Sequence, residues 1–269
     1  MPFAPIKDGQ LYFEEHGKGP PLLLVAGLGG VGSYWKPQLE EFSRHYRVIV
    51  HDHRGTGQST RSEIAYSLDQ MSADLLALMD HLKLERAHLV GHSTGGAIGQ
   101  TLGITAPHRI DSMVLYASWT KTDAFMGRVM RARKALLQNG VDDYIELSPA
   151  LLYPDWWLNN NPDKLAALDA ATRAGFPGAS IAASRCQAVI DFDRTGELHR
   201  IDRPTRVLCA RDDFLTPLYF SEELARKIPG ATLTVLEKGG HAVSQVDPAA
   251  FNVAVLDFLR TVPAAASSS

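Results

Sequence analysis

Short apolar runs alternate with longer amphipathic stretches along most of this chain of 269 residues. The apolar runs, rich in valine and leucine, lie at residues 22–26, 48–50, 87–90, 113–117, 207–210 and 233–236. Their length and composition are typical of strands buried on both faces of a sheet. Helical patterns lie between them, at residues 68–82, 95–106, 221–228 and 249–259. This alternation predicts an α/β fold with a mainly parallel sheet.

The alternation is interrupted between residues 120 and 200, where prolines break helix-like stretches and no buried strand is evident. We interpret this segment as a helical cap inserted into one sheet domain formed by residues 1–119 and 201–263. A separate domain is the alternative, but each flanking part would then be an incomplete sheet. The small and polar residues 264–269 predict a disordered tail.

The sequence Gly91-His92-Ser93-Thr94-Gly95 lies where a predicted strand meets a predicted helix. A G-x-S-x-G at such a junction is the signature of a nucleophile elbow, a turn so sharp that its flanking residues must be small. The turn presents the Ser93 hydroxyl above the sheet, close to a helix N-terminus that favours developing negative charge. An ordinary glycine-rich turn is the alternative, but it gives no reason for the serine.

A serine hydroxyl is a weak nucleophile at neutral pH and needs a base. The chain order expected after such an elbow is serine, acid, histidine. His241, which follows the last apolar run and two glycines, is the predicted base. The acid is expected after the run at 207–210, where Asp212 and Asp213 are both available. Either would fix the imidazole tautomer and stabilise the imidazolium.

Two backbone N–H groups are predicted to form an oxyanion hole. One belongs to Thr94, directly after the nucleophile. The other is assigned to Leu28, in the glycine-rich loop that follows the run at 22–26. Five aromatic residues in or near the insertion are candidates to line an apolar substrate pocket, although anchoring of the cap is an equally good interpretation; they are Trp119, Phe125, Tyr153, Trp156 and Trp157.

Composition argues against several other classes of protein. A net charge of −3 without a basic stripe predicts no nucleic-acid or anionic-membrane partner. Cys186 and Cys209 are too few for a disulfide framework, and we expect buried free thiols. With no signal peptide and no apolar run near the ~20 residues of a membrane span, we expect a cytoplasmic protein. The partner expected is a small-molecule substrate; the oligomeric state stays open, with a homodimer as one option.

The pair His51 and His53 invites a zinc interpretation, but no further ligands stand at usable spacing. We therefore predict no metal. We also predict no organic cofactor, because the loop at 27–30 lacks the G-x-G-x-x-G of a dinucleotide site. The stretch from Asp52 to Gly57 is interpreted as a structural turn after a strand.

Taken together, these motifs resemble the α/β-hydrolase superfamily over nearly the whole chain. The resemblance is greatest to cap-domain serine hydrolases of the 3-oxoadipate enol-lactone hydrolase type and to the aminoacrylate hydrolases of pyrimidine breakdown. The matching stretches are residues 27–30, 32–39, 52–57 and 152–156. The resemblance implies an eight-stranded, mainly parallel sheet flanked by helices, with the helical cap inserted after strand 6.

The resemblance also favours Asp213 as the acid, because in this fold the acid commonly stands three residues before a Thr-Pro pair, here Thr216-Pro217. The sequence differs from relatives at two points. Many begin the first oxyanion loop with His-Gly, where this chain has Ala26-Gly27. Some aminoacrylate-type members lack the elbow serine, whereas Ser93 is present here, which favours an acyl-enzyme route.

These features predict a hydrolase that cleaves a small carboxylic ester or an enol-lactone through a serine acyl-enzyme. One alternative keeps the site but changes the bond to an amide, a carbamate of the aminoacrylate type or a vinylogous C–C bond. Another, from a different class, is a ligand receptor that retains the triad but turns over negligibly.

Overall fold

The computed structural model describes residues 2–262, and the predicted tail at 264–269 lies outside this range. Eight strands form a single sheet in the order β1-β2-β4-β3-β5-β6-β7-β8. Their bounds are Phe3–Ile6 (β1), Gly9–His16 (β2), Pro21–Val25 (β3), Arg47–His51 (β4), Ala87–His92 (β5), Ile110–Tyr116 (β6), Thr205–Ala210 (β7) and Thr232–Leu236 (β8). The strands from β3 to β8 pair in parallel, so the mainly parallel eight-stranded sheet predicted from the sequence is confirmed.

The first two strands pair antiparallel, with each other and with β4. They lie at one edge of the sheet, and β2 alternates between buried and exposed residues. The search for continuous apolar runs missed both strands, because a strand with one face in solvent carries polar residues at every second position.

Eleven α-helices are present in the described part of the chain. Their bounds are Lys36–Phe42 (α1), Leu68–His81 (α2), Thr94–Thr105 (α3), Ala124–Leu136 (α4), Val141–Leu152 (α5), Asp155–Asn160 (α6), Pro162–Gly175 (α7), Ala179–Asp191 (α8), Leu218–Lys227 (α9), Val243–Val246 (α10) and Pro248–Leu259 (α11). The start of α2 follows from its sequence, because the Ser67 hydroxyl accepts a hydrogen bond from the Gln70 N–H at 3.1 Å.

Helices cover both faces of the sheet, and each face has its own apolar core. The larger core joins α2, α3 and α9 to one face through residues such as Leu75, Leu102 and Leu224. The other joins α1 and α11 to the opposite face through Trp35, Phe42 and Phe251. Parallel strands need this double cover, because the strands themselves are apolar on both sides.

Helices α4 to α8 all lie between β6 and β7, at the place predicted for the helical insertion, and we refer to them as the cap. The only pairing of extended backbone described in this segment is an isolated bridge between Lys121 and Asp193. This bridge brings together the two ends of the insertion. The chain therefore enters and leaves the cap through two segments that lie side by side.

Cys186 and Cys209 are free and buried, as expected. Within residues 2–262, no helix is both long enough and apolar enough to cross a membrane.

Candidate active site

Ser93 occupies the turn between β5 and α3, with backbone angles of φ +52° and ψ −113°. A non-glycine residue rarely adopts a positive φ, so this backbone is strained. The flanking glycines allow the turn to be this tight. A Cβ at Gly91 would overlap the backbone of Gly95, and a Cβ at Gly95 would overlap the backbone of Val25. The local geometry is that of the predicted elbow.

His241 follows β8 and is buried beside Asp213, which follows β7. The two side chains meet at 2.9 Å, between Nδ1 of His241 and Oδ2 of Asp213. The Thr216 hydroxyl donates to the same Oδ2 at 2.7 Å, and the Thr216 N–H donates to Oδ1 at 2.8 Å. The carboxylate is thus held by three donors. With its Nδ1–H donated to Asp213, His241 keeps Nε2 free to accept a proton.

The neighbouring Asp212 has a different environment. Its carboxylate accepts hydrogen bonds from the N–H groups of Gly239 and Gly240, at 3.1 and 2.8 Å. These residues immediately precede His241, so Asp212 holds the loop that carries the imidazole, and Asp213 contacts the imidazole itself.

A stack of rings supports the backbone of His241. The His241 carbonyl accepts from the Tyr116 hydroxyl at 2.7 Å and from Nε2 of His92 at 3.0 Å. His92 in turn stacks on Tyr34, with ring centroids 4.6 Å apart. Burial holds the pKa of His92 well below its ordinary value, so this residue is a neutral donor to the carbonyl. It links the elbow to the histidine loop.

Ser93 and His241 line the same cavity, of about 210 Å³, between the sheet and the cap. Leu28 and Thr94, the two residues predicted for the oxyanion hole, line it as well. Thr94 is the first residue of α3, where a backbone N–H has no partner within the helix. Cap residues form the roof and include Met130, Arg133, Tyr144, Leu152 and Leu168.

Arg185, on cap helix α8, was missed by the sequence analysis. It is only 2% exposed, and its Nη2 donates to the Leu28 carbonyl at 2.8 Å. Its Nη1 donates to the Arg54 carbonyl at 3.0 Å. Burial lowers the pKa of Arg185 to about 10, so the guanidinium is charged at neutral pH. Arg185 therefore fastens the cap to the oxyanion loop.

The predicted aromatic residues divide into two groups. Trp119 and Tyr153 line the cavity. Phe125, Trp156 and Trp157 are not part of the lining: Phe125 packs on Phe214, and Trp157 stacks behind Tyr153 at 4.5 Å. Trp156 is 38% exposed, beneath the Lys238 ammonium. Aromatic content alone could not separate the two groups, because a short helix turns successive side chains in different directions.

His51 and His53 stack on each other, with ring centroids 5.1 Å apart. Among residues 2–262, no group of three or more His, Cys, Asp or Glu side chains is arranged to hold a metal ion. Asp52 accepts from the N–H groups of Gly32 and Gln58, both at 2.8 Å, so it stabilises a turn.

Comparison with known proteins identifies a family and related chains. The family model described as alpha/beta hydrolase fold matches residues 20–248. A protein of Azorhizobium caulinodans named "Putative carbamate hydrolase RutD" is 38% identical over 259 residues, which is 96% of this chain and 98% of the relative.

Solved structures of similar proteins give the same result. The enol-lactonase from Burkholderia xenovorans LB400 superposes with a TM-score of 0.90 at 27% identity, over 96% of this chain and 100% of that one. A thermophilic esterase from Thermogutta terrifontis superposes with a TM-score of 0.86 at 26% identity, covering 96% of each chain. The resemblance inferred from the sequence motifs is confirmed.

Proposed function

This chain belongs to the α/β-hydrolase family, and we propose that it hydrolyses a small carboxylic ester or lactone through an acyl-enzyme on Ser93. The observation that carries the proposal is the grouping of Ser93, on its strained turn, with a His241–Asp213 pair in one cavity. A nucleophile, a base and an orienting carboxylate are the parts that acyl transfer requires.

In the proposed acylation, Ser93 Oγ attacks the substrate carbonyl carbon while Nε2 of His241 takes the hydroxyl proton. The carbonyl oxygen becomes an oxyanion, which the N–H groups of Leu28 and Thr94 stabilise. One such donor is typically worth about 3–4 kcal/mol. The C–O bond to the leaving group then breaks, and the imidazolium returns its proton to the departing alkoxide.

Deacylation repeats these steps with water as the nucleophile. The water oxygen attacks the acyl carbon while His241 takes a proton from the water. His241 then returns that proton to Ser93 Oγ as the ester bond breaks. The carboxylic acid product leaves, and the enzyme is unchanged. The negative charge of Asp213 stabilises the imidazolium in both halves of the reaction.

Carbamate hydrolysis is the second candidate, and it is favoured by the name of the Azorhizobium relative. The same serine would attack a carbamate carbonyl and form a carbamoyl-enzyme. The enol-lactonase and the esterase favour the first candidate. The two reactions use the same residues and differ in how readily the carbonyl accepts a nucleophile.

A matched pair of chromogenic substrates tests the proposal. p-Nitrophenyl butyrate and p-nitrophenyl N-ethylcarbamate have acyl groups of the same length and the same leaving group. We expect kcat/KM, divided by the rate of uncatalysed hydrolysis, to be higher for the ester, and turnover of both to be lost in Ser93→Ala. A higher value for the carbamate would favour the second candidate. Turnover retained by Ser93→Ala would contradict both.

A further inference from the structure

Arg133, on cap helix α4, lines the same cavity as Ser93 and is only 6% exposed. None of the ion pairs within residues 2–262 includes it. An arginine side chain keeps its charge in any protein environment, so a buried one is costly unless an anion or several acceptors compensate it. The question is what balances this charge.

The partners of Arg133 in the protein are neutral and incomplete. Its Nη2 donates to the Tyr144 hydroxyl at 2.9 Å and to the Ser148 hydroxyl at 3.2 Å. The guanidinium also lies 4.9 Å from the centre of the Tyr144 ring. Nε is buried without an acceptor in the described residues, and no hydrogen bond from Nη1 is present there either.

A second N–H donor without an acceptor belongs to Trp119. The indole lines the same cavity, is fully buried, and its Nε1 has no acceptor among the described residues. Buried donors are nearly always paired in folded proteins. These two unpaired N–H donors line one mainly apolar cavity, which favours a ligand with acceptor oxygens there.

Asp169 is the one acidic residue in the described lining of this cavity. It is half-buried, and burial raises its pKa. No ion pair joins it to Arg133 within residues 2–262. The cavity that Ser93 lines thus contains one arginine, Arg133, that forms no ion pair with the one carboxylate of the lining, Asp169.

We propose that Arg133, assisted by Trp119 Nε1, binds a carboxylate on the substrate, so that the enzyme prefers esters whose acyl part ends in a carboxylate. The preference among esters rests on the proposed function, whereas the binding of a carboxylate to Arg133 does not. A planar guanidinium suits a carboxylate, to which it can donate two parallel hydrogen bonds. An apolar cavity strengthens the interaction by excluding water.

The kinetic test compares p-nitrophenyl monoesters of succinic, glutaric and adipic acid with their neutral methyl-capped counterparts. We expect the wild-type protein to prefer an anionic ester. Arg133→Gln should lower kcat/KM for that ester by about tenfold or more, the loss expected for a hydrogen bond to a charged group. The neutral ester should lose much less in the same variant, and circular dichroism of Arg133→Gln serves as the control for folding.

Three further variants sharpen the kinetic test. Arg133→Lys should restore part of the preference, and Trp119→Phe should lower it while the ring remains. Arg131→Gln changes an exposed arginine on the same helix and should have no effect. Absence of a wild-type preference, or equal losses for anionic and neutral esters in Arg133→Gln, would overturn the proposal.

A binding measurement separates this proposal from the proposed function. Calorimetric titration with glutarate and with glutaramide, its neutral isosteric diamide, at equal ionic strength, needs no hydrolysis. Tighter binding of glutarate, lost in Arg133→Gln but not in Arg131→Gln, would support the carboxylate site even if no ester were cleaved. Equal affinity for the anionic and the neutral ligand would overturn it, whatever the esterase activity.

Discussion

Two adjacent aspartates, Asp212 and Asp213, divide the work of positioning one histidine. Asp213 contacts the imidazole of His241 at Nδ1. Asp212 accepts hydrogen bonds from the backbone N–H groups of the two glycines that precede His241. From the sequence they differ only in their distance from a Thr-Pro pair. In the structure they differ in kind, because one lies against the ring and the other against the loop that carries the ring.

This division predicts different results for the same substitution. Asp213→Asn should lower kcat by several orders of magnitude, because an amide cannot fix the tautomer or stabilise the imidazolium. Asp212→Asn keeps an acceptor oxygen for the loop and should have a far smaller effect. Steady-state kinetics on both variants measures this directly. If Asp212→Asn were the more damaged variant, the assignment of the acid would be wrong.

At the residue scale, local patterns predicted the three candidate catalytic side chains. Ser93 is marked by its flanking glycines and His241 by its place after a strand. The place after a strand left Asp212 and Asp213 both open, and the family resemblance selected Asp213 by its distance from a Thr-Pro pair. Arg133 and Arg185 carry no such mark. Arg185 and Leu28 are 157 residues apart in the sequence, and no local sequence pattern at either position predicts their contact. Contacts of this kind depend on how the cap packs, which local sequence patterns do not encode.

At the scale of elements, the buried strands were the most predictable part of the chain. A strand covered on both faces is a continuous apolar run, and five such runs correspond to β3 to β7. The sixth run corresponds to β8, which lies at the other edge of the sheet and is partly exposed, so the prediction of burial on both faces was wrong for this strand. The edge strands β1 and β2 lack this signature. The helices of the cap were predicted only as a group, because prolines broke their patterns; Pro149, for example, lies inside α5.

The cap and the core are held together by hydrogen bonds to backbone carbonyls as well as by apolar packing. Arg185 donates to the oxyanion loop, and the Ala242 N–H donates to the Leu152 carbonyl at 3.0 Å. The first contact is made to the carbonyl of Leu28, and the second is made by the residue that follows His241. Each of these two contacts thus also orders an element of the candidate site.

At the scale of the whole molecule, buried histidines make stability depend on pH. Burial lowers the pKa of His51 to about 4 from its ordinary value of 6.5. Between these values the unfolded chain binds a proton at this residue that the folded chain does not. The free energy of unfolding therefore decreases as the pH falls from 6.5 to 4. Burial depresses the pKa values of His53 and His92 as well, which adds to the effect.

Urea unfolding across this pH range tests the contribution of His51. One proton corresponds to a slope of about 1.4 kcal/mol per pH unit. The stability of His51→Gln should therefore depend on pH less steeply than that of the wild type, by up to this amount. His108→Gln, at an exposed position, should match the wild-type slope. Three equal slopes would contradict the expectation.

The central claim is that Ser93 is the nucleophile, and labelling of the intact protein with a fluorophosphonate tests it most directly. We predict one adduct per chain, mapped by peptide mass spectrometry to Ser93. Ser93→Ala should remain folded, as judged by circular dichroism, and unlabelled. An adduct on a different residue, or full labelling of Ser93→Ala, would contradict the account.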